Sequence, residues 1–197
     1  MAWTAPRTWA VSEVVTAAIM NTYIRDNQLY LKTEIDTINA SSYPSILDNE
    51  IYVVPATNVG VAETVLSAFT VLADTLDTNG LLLRVMWSGY LAATANNKVM
   101  RVYFGGVGGT KLWDSGAMVL NGDNWQIEMQ ISRVGVGSQY ATVGTLFGQP
   151  APAAKQQAQE RQSAAEDETA NLDVTLTGQS SVGGGEITAN QILVELL

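Results

Sequence analysis

The residue types most often recruited for chemistry are scarce in this sequence. Histidine and cysteine are both absent, which removes the commonest general base, the best soft metal ligands and any disulfide. Serine hydroxyls are left without an ordinary base to activate them. The carboxylates Asp114, Asp123, Glu128, Asp167 and Asp173 could in principle act as a pair on a glycosidic bond. They scatter along the chain, mostly in or beside turns, and no spacing selects two of them. The expectation is a chain that is not an enzyme, with no catalytic residues, no metal site and no cofactor.

Two short motifs bear on that expectation. The run GGVGGTK at 105–111 superficially resembles a phosphate loop, but the Walker spacing requires glycine directly before the lysine, and Thr110 stands there. A strand pattern also follows where a phosphate loop needs a helix, so a glycine-rich hairpin is expected. Asp74, Asp77 and Asn79 before Gly80 resemble half a calcium loop, yet Thr75 and Met86 stand where the EF-hand pattern asks for ligands. A β-turn at Thr78-Asn79-Gly80 is the first reading, with weak calcium binding near Asp74 and Asp77 as the alternative. The aromatic residues Trp87, Tyr90, Tyr103, Phe104, Trp113 and Trp125 fall mostly in strand-like segments. Core or subunit-interface positions come first for them, and stacking on sugars second.

The elements that would carry these residues divide into two kinds. Trp3, Pro6 and Trp9 show no period and read as an extended arm whose indoles need somewhere to bury. Ser12 is the expected N-cap of a helix with Glu13 in its first turn, running to about Asn39, where Asn39, Ser41, Ser42 and Pro44 supply stop signals. At about 1.5 Å per residue such a helix spans roughly 42 Å, which is longer than the body of a small β domain, so it is expected to project. Met20, Ile24, Leu31, Ile35 and Ile38 fall on one stripe, interrupted by Asn27. Ile24, Leu31 and Ile38 lie seven apart, the spacing that keeps a seam facing a partner helix, and a polar residue such as Asn27 fixes register in such a seam. The competing reading is that the stripe packs on the chain's own sheet.

From about residue 50 the period changes to two. Leu81, Leu83, Val85 and Trp87 alternate with Leu82, Arg84, Met86 and Ser88, and Trp125, Ile127, Met129 and Ile131 alternate with Gln126, Glu128, Gln130 and Ser132. One buried face and one polar face define a half-covered antiparallel sheet. Strands are predicted at 51–55, 64–72, 81–92, 98–104, 111–120, 124–134, 139–147, 171–177 and 190–197, separated by Gly- and Asn-rich turns. The fold class expected is mainly β: an N-terminal coiled-coil-like α-helix followed by an antiparallel β-sandwich or jelly roll. The domain reading is an arm and helix over 1–44 and a β domain over 45–197. The Ala-, Gln- and Glu-rich stretch 149–170 is taken as a surface insertion forming a short exposed helix or a mobile loop.

The totals agree with an assembled protein. Charged residues make up only 15% of the chain, well below the roughly 25% usual in soluble domains, so uncharged polar groups or other subunits must cover much of the surface. A formal net charge of −9 argues against a phosphate-binding surface, hence no nucleic acid. No apolar run approaches the roughly 20 residues of a membrane span, and MAWTAPRTWAVSE lacks the apolar core of a signal peptide, so no membrane insertion and synthesis in the cytoplasm are expected.

The stretch WAVSEVVTAAIMNTYIRDNQLYLK at 9–32 resembles a segment that recurs at the N-terminus of virion proteins of tailed bacteriophages. The matching positions are Trp9, Val14, Val15, Thr16, Ala17, Met20, Asn21, Arg25, Asp26, Asn27, Leu29, Leu31 and Lys32. GLLLRVMWSGYLAATANNKVMRVYFGG, LNGDNWQIEMQISRVG and the closing NQILVELL are similar to the trimeric jelly-roll heads of phage fibre and decoration proteins. The resemblance implies a homotrimeric virion protein, either a head fibre or a capsid decoration spike. It would contact other virion proteins of the capsid or tail. Trp3, Trp9, Arg25 and Asp26 would serve attachment, and the Met20, Ile24, Asn27, Leu31, Ile35 and Ile38 stripe would serve oligomerisation. The alternative is a tail-associated fibre that recognises a host surface glycan or protein as its receptor. No shaft repeat separates helix from β domain, which favours a compact spike.

Overall fold

The computed structural model describes residues 11–12, 14–40, 45–148 and 155–197. The chain divides into two compact units, Met1–Tyr43 and Pro44–Leu197. In the first, helix runs without a break from Ala17 to Ala40: α1 (Ala17–Met20), a π-helical turn (Asn21–Arg25) and α2 (Asp26–Ala40). The cap is Thr16, whose Oγ1 accepts the Ile19 amide at 3.3 Å. Ser12, the cap expected from sequence, instead sits in a turn with φ of 66°, a left-handed conformation that does not lead into a helix. The helix therefore starts about a turn later than its sequence signals suggest.

The second unit is mainly β, and all the strand pairings described are antiparallel. The strands are β1 (Ser45–Thr57), β2 (Thr64–Val71), β3 (Leu82–Leu91), β4 (Lys98–Phe104), β5 (Thr110–Asp114), β6 (Asn124–Gly135), β7 (Ser138–Gly148), β8 (Lys155–Ala164), β9 (Leu172–Ser180) and β10 (Ile187–Leu196). They form a six-stranded sheet of order β1-β10-β3-β6-β7-β8 and a four-stranded sheet of order β2-β9-β4-β5.

One hydrophobic core draws on both sheets. The six-stranded sheet contributes Leu83, Val85, Trp87, Trp125, Ile127, Met129, Ile131, Ile192 and Val194, and the four-stranded sheet Leu66, Met100, Val102, Phe104, Leu112, Val174 and Leu176. The period-two alternation produces this directly, because β3 and β6 pair from Leu82↔Ser132 to Tyr90↔Asn124 without a register shift. Every second side chain of each strand thus reaches the same face. Burying each such Leu, Ile, Met or Val contributes about 1.5–3 kcal/mol. A polar contact ties the sheets together at the centre: the Trp87 indole donates to Ser67 Oγ at 3.1 Å, with both groups buried.

Two predicted elements differ in the structure. The strand expected over 111–120 stops at Asp114, because Asp114 Oδ1 accepts the Gly116 amide at 2.9 Å and Gly116 has φ of 62°. That local turn competes with the ladder, and only Met118 returns, to bridge Lys98. The stretch 149–170, expected as helix or loop, contains β8, which pairs with β7 from Gln139↔Ala164 to Phe147↔Lys155. Weak helix-favouring composition yields here to an available sheet edge. The polar residues of β8 suit an edge strand, since a polar edge resists pairing with other chains.

Ser67→Ala should leave the Trp87 N–H buried without an acceptor and cost about 1–3 kcal/mol. A lower urea midpoint at unchanged m-value is the expected readout.

Candidate functional site

The helical stripe singled out for oligomerisation is largely exposed. Met20 is 44% exposed, Ile24 39%, Leu31 48% and Ile35 54%, while Asn27 is only 6% exposed. Ile38 belongs to α2 by its backbone, and its side chain lies outside the described residues, as do Trp3 and Trp9. Within the π-helical turn the Tyr23 carbonyl accepts the Asn27 side-chain amide at 3.4 Å, the kind of side-chain insertion that accompanies departures from the i→i−4 ladder. Arg25 and Asp26, expected at an attachment surface, pair with each other: Arg25 Nε and Nη2 lie 2.9 and 2.8 Å from Asp26 Oδ1.

The two motifs that resembled ligand loops are occupied by the chain's own groups. At the glycine-rich hairpin, Glu166 Oε1 accepts the Thr110 amide at 2.8 Å and its hydroxyl at 2.6 Å. A carboxylate thus fills the place of an anion. At the calcium-like loop, Arg133 Nη1 donates to the Asp77 carbonyl at 2.5 Å and to Asn79 Oδ1 at 3.1 Å. Arg133 Nε also lies 2.7 Å from Glu168 Oε1. Glu168 Oε2 in turn accepts the Gly137 amide at 2.8 Å and Gln139 Nε2 at 3.0 Å. Of the side-chain oxygens that suggested calcium, Asn79 Oδ1 is thus met by a guanidinium that is part of the fold.

Lys98 plays the corresponding role where β4 begins. Its side chain is 0% exposed. The ammonium donates to the carbonyls of Thr94 (3.1 Å), Asn96 (3.3 Å) and Leu120 (3.0 Å), and lies 3.3 Å from Glu186 Oε2. Glu186 also accepts the Thr94 hydroxyl and, at 3.0 Å, Asn96 Nδ2. Nothing in the sequence pattern marks Lys98 or Arg133: Thr94 and Asn96 lie close to Lys98 in sequence, but Leu120, Glu186 and the partners of Arg133 come from segments distant along the chain. Among the described residues no group of three or more acidic residues is placed to hold a metal ion.

The carboxylates considered for hydrolysis occupy separate places with separate partners. Asp114 meets Arg101 (2.8 Å) and Lys111 (3.0 Å), Glu128 meets Arg84 (3.0 Å), Asp173 accepts Thr70 Oγ1 (2.7 Å) and Asp167 accepts Thr169 Oγ1 (2.6 Å). Asp123 is buried. Burial pushes the Asp114 carboxyl up, but the Gly116 amide, Lys111 and Arg101 outweigh it and hold it down at about 2. Burial and the nearby Glu63 push the Tyr103 phenol up to about 12.

Of the aromatic residues, Trp87, Tyr103, Phe104 and Trp125 are buried, Trp113 packs partly against the core, and Tyr90 is exposed. Near Tyr90 the six-stranded sheet carries a depression of about 340 Å³ lined by Ser88, Gly89, Asn124, Trp125, Gln126, Leu146, Gly148 and Asn190. It went unread in the sequence because its lining comes from four strands, one of them bulged. No family model, curated protein or solved structure matches the chain.

The buried ion pairs predict acid lability. The Thr94 hydroxyl holds the Glu186 carboxyl below its ordinary 4.5 against the effect of burial. For Glu168 burial acts upward, and the Arg133 and Gly137 hydrogen bonds still bring it below 4.5. A carboxyl depressed in the folded state binds fewer protons there than when unfolded. Its stabilisation is therefore full above about pH 4.5 and is lost as pH falls through the folded values. Urea midpoints should fall from about pH 5 downward, and Lys98→Met, which strands Glu186, should cost about 3–5 kcal/mol at neutral pH.

Proposed function

We propose that this protein is a structural component of a bacteriophage virion: a homotrimeric head fibre or capsid decoration spike anchored through its N-terminal region. The observation that carries the reading is the exposure of Met20, Ile24, Leu31 and Ile35 along one helix. Contiguous apolar exposure on a chain with few charges marks an association surface. The spacing of Ile24, Leu31 and Ile38 suits a coiled coil of like chains, and Asn27 supplies the polar position that sets its register. The resemblance of residues 9–32 to phage virion N-termini names the kind of particle. Trp3, Trp9, Arg25 and Asp26 are assigned to attachment on that resemblance.

The strand order supports reading the β unit as a jelly-roll sandwich. Consecutive strands β1, β2, β3 and β4 alternate between the two sheets, and the return strands β9 and β10 insert between β2 and β4 and between β1 and β3. That is the double winding of two Greek keys, each sheet having four strands in the basic pattern. On this reading the β7–β8 hairpin extends one sheet by two strands beyond that pattern.

Light scattering of the full chain should return a trimer mass that persists on dilution to micromolar concentration. Leu31→Asp with Ile35→Asp should shift it to monomer, with the β-type circular dichroism retained. A wild-type monomer at those concentrations would overturn the proposal.

A further inference from the structure

We propose that the depression on the six-stranded sheet is a binding site for an uncharged saccharide, with Ser88, Asn124, Gln126 and Asn190 as hydrogen-bonding groups and Leu146 and Tyr90 as apolar contacts. The proposal goes beyond the architectural role above and does not require the trimer.

The site is built by two departures from regular sheet. The pairing of β10 with β3 skips a residue between Ala189↔Gly89 and Gln191↔Ser88, so Asn190 is the extra residue of a bulge. Bulges re-aim side chains and are over-represented beside binding sites. Opposite it stands Gly89, where a Cβ would come within 1.9 Å of the Thr188 carbonyl oxygen and 2.5 Å of the Trp125 ring. Only glycine allows the bulge and the indole to meet there. Gly148 leaves a further gap beside Leu146, with nothing nearer than 4.0 Å to an added Cβ.

The lining joins apolar surface to uncharged polar groups that are largely uncommitted. Among the described residues, Asn190 Oδ1 is buried with no hydrogen-bond partner. Gln126 Nε2 has only the Met86 thioether, at 3.8 Å. Further along the same face Arg84 pairs with Glu128 and Glu195 at 3.0 and 3.1 Å. Buried polar atoms left unpaired are costly, and a native structure that keeps them calls for an explanation.

The chemistry of the lining selects the ligand. Amide side chains donate and accept together, as sugar hydroxyls do. Cross-strand pairing sets Ser88, Gln126 and Leu146 in one row and Tyr90, Asn124 and Gly148 in the next. An apolar side chain and a 44% exposed phenol ring thus flank the amides, matching the C–H faces of a pyranose. No lysine, arginine or carboxylate lines the depression, and the chain's net charge of −9 disfavours an anionic ligand. A peptide read through its backbone would need a free sheet edge, whereas this site lies over β10, β3, β6 and β7, inside the edge strands β1 and β8.

The test uses the full chain labelled with ¹⁵N, its Asn190 side-chain amide signals assigned by Asn190→Asp. The probes are neutral mono- and disaccharides of glucose, galactose, mannose and N-acetylglucosamine, with sialyllactose and trialanine as controls. The proposal expects at least one neutral sugar to shift the Asn190 signal with millimolar or tighter affinity. Asn124→Ala with Gln126→Ala should weaken it about tenfold, equivalent to about 1.4 kcal/mol, at unchanged melting temperature. Gly148→Val, whose side chain enters open space, should block it. The proposal is overturned if no neutral sugar shifts the signal, if the shift survives both variants, or if sialyllactose or trialanine binds more tightly.

Discussion

The unbroken register between β3 and β6 is the constraint on which the β unit rests. Nine successive pairs hold Leu83, Val85 and Trp87 beside Ile131, Met129 and Ile127 on the core side. The same pairs hold Arg84 beside Glu128, Ser88 beside Gln126 and Tyr90 beside Asn124 on the other. A slip of one residue would exchange the faces, driving an arginine and a glutamate into the space now filled by apolar side chains. Core, ion pair and depression are therefore consequences of one alignment. Within the same sheet the irregularity lies in the other pairings: β10 against β3, β1 against β10, β7 against β6 and β8 against β7. The central pair stays regular while the strands around it re-aim side chains.

At its two ends the same unit closes its loops with cations that belong to the fold. Lys98 gathers three main-chain carbonyls and Glu186, and Arg133 gathers the Asp77 carbonyl, Asn79 and Glu168. Both neutralise converging oxygens, which a calcium ion does in other loops. Burial of a lysine is tolerable only because each donor meets an oxygen and a carboxylate balances the charge. Each cation is matched by a buried carboxylate, Glu186 or Glu168, so the excess of acidic over basic residues, 19 against 10, stays with the remaining side chains.

What the sequence discloses follows from the range of the interactions involved. Alternation in 81–92 and 124–134 is local, and it located β3 and β6 within a residue or two. The helix was legible from its apolar spacing, but not its start, because Ser12 and Thr16 are both competent caps and the backbone at Ser12 decides between them. Strand β8 was invisible for a different reason. Gln, Ala and Glu carry no β signal, and the strand exists because the β7 edge offers a ladder of partners. The Leu120 and Glu186 partners of Lys98, the partners of Arg133 and the lining of the depression are tens of positions apart, so no window reveals them. Gly89 gave the one local clue, a glycine inside an otherwise large and apolar strand.

The helix presents an inversion that bears on why a β-rich chain should carry it. Asn27 lies three residues from Ile24 and four from Leu31, so the three share one face. In a helix complete in itself the amide would be the exposed member and the aliphatic side chains the covered ones. Here Asn27 is buried and Ile24 and Leu31 are exposed. Fully burying such a side chain is worth about 1.5–3 kcal/mol, and with Met20, Ile24, Leu31 and Ile35 each 39–54% exposed roughly half of that is forgone at each. A chain gains nothing from such a face while alone. Under the proposed assembly the same residues become the seam, and an amide held within it opposes slippage of one helix along another.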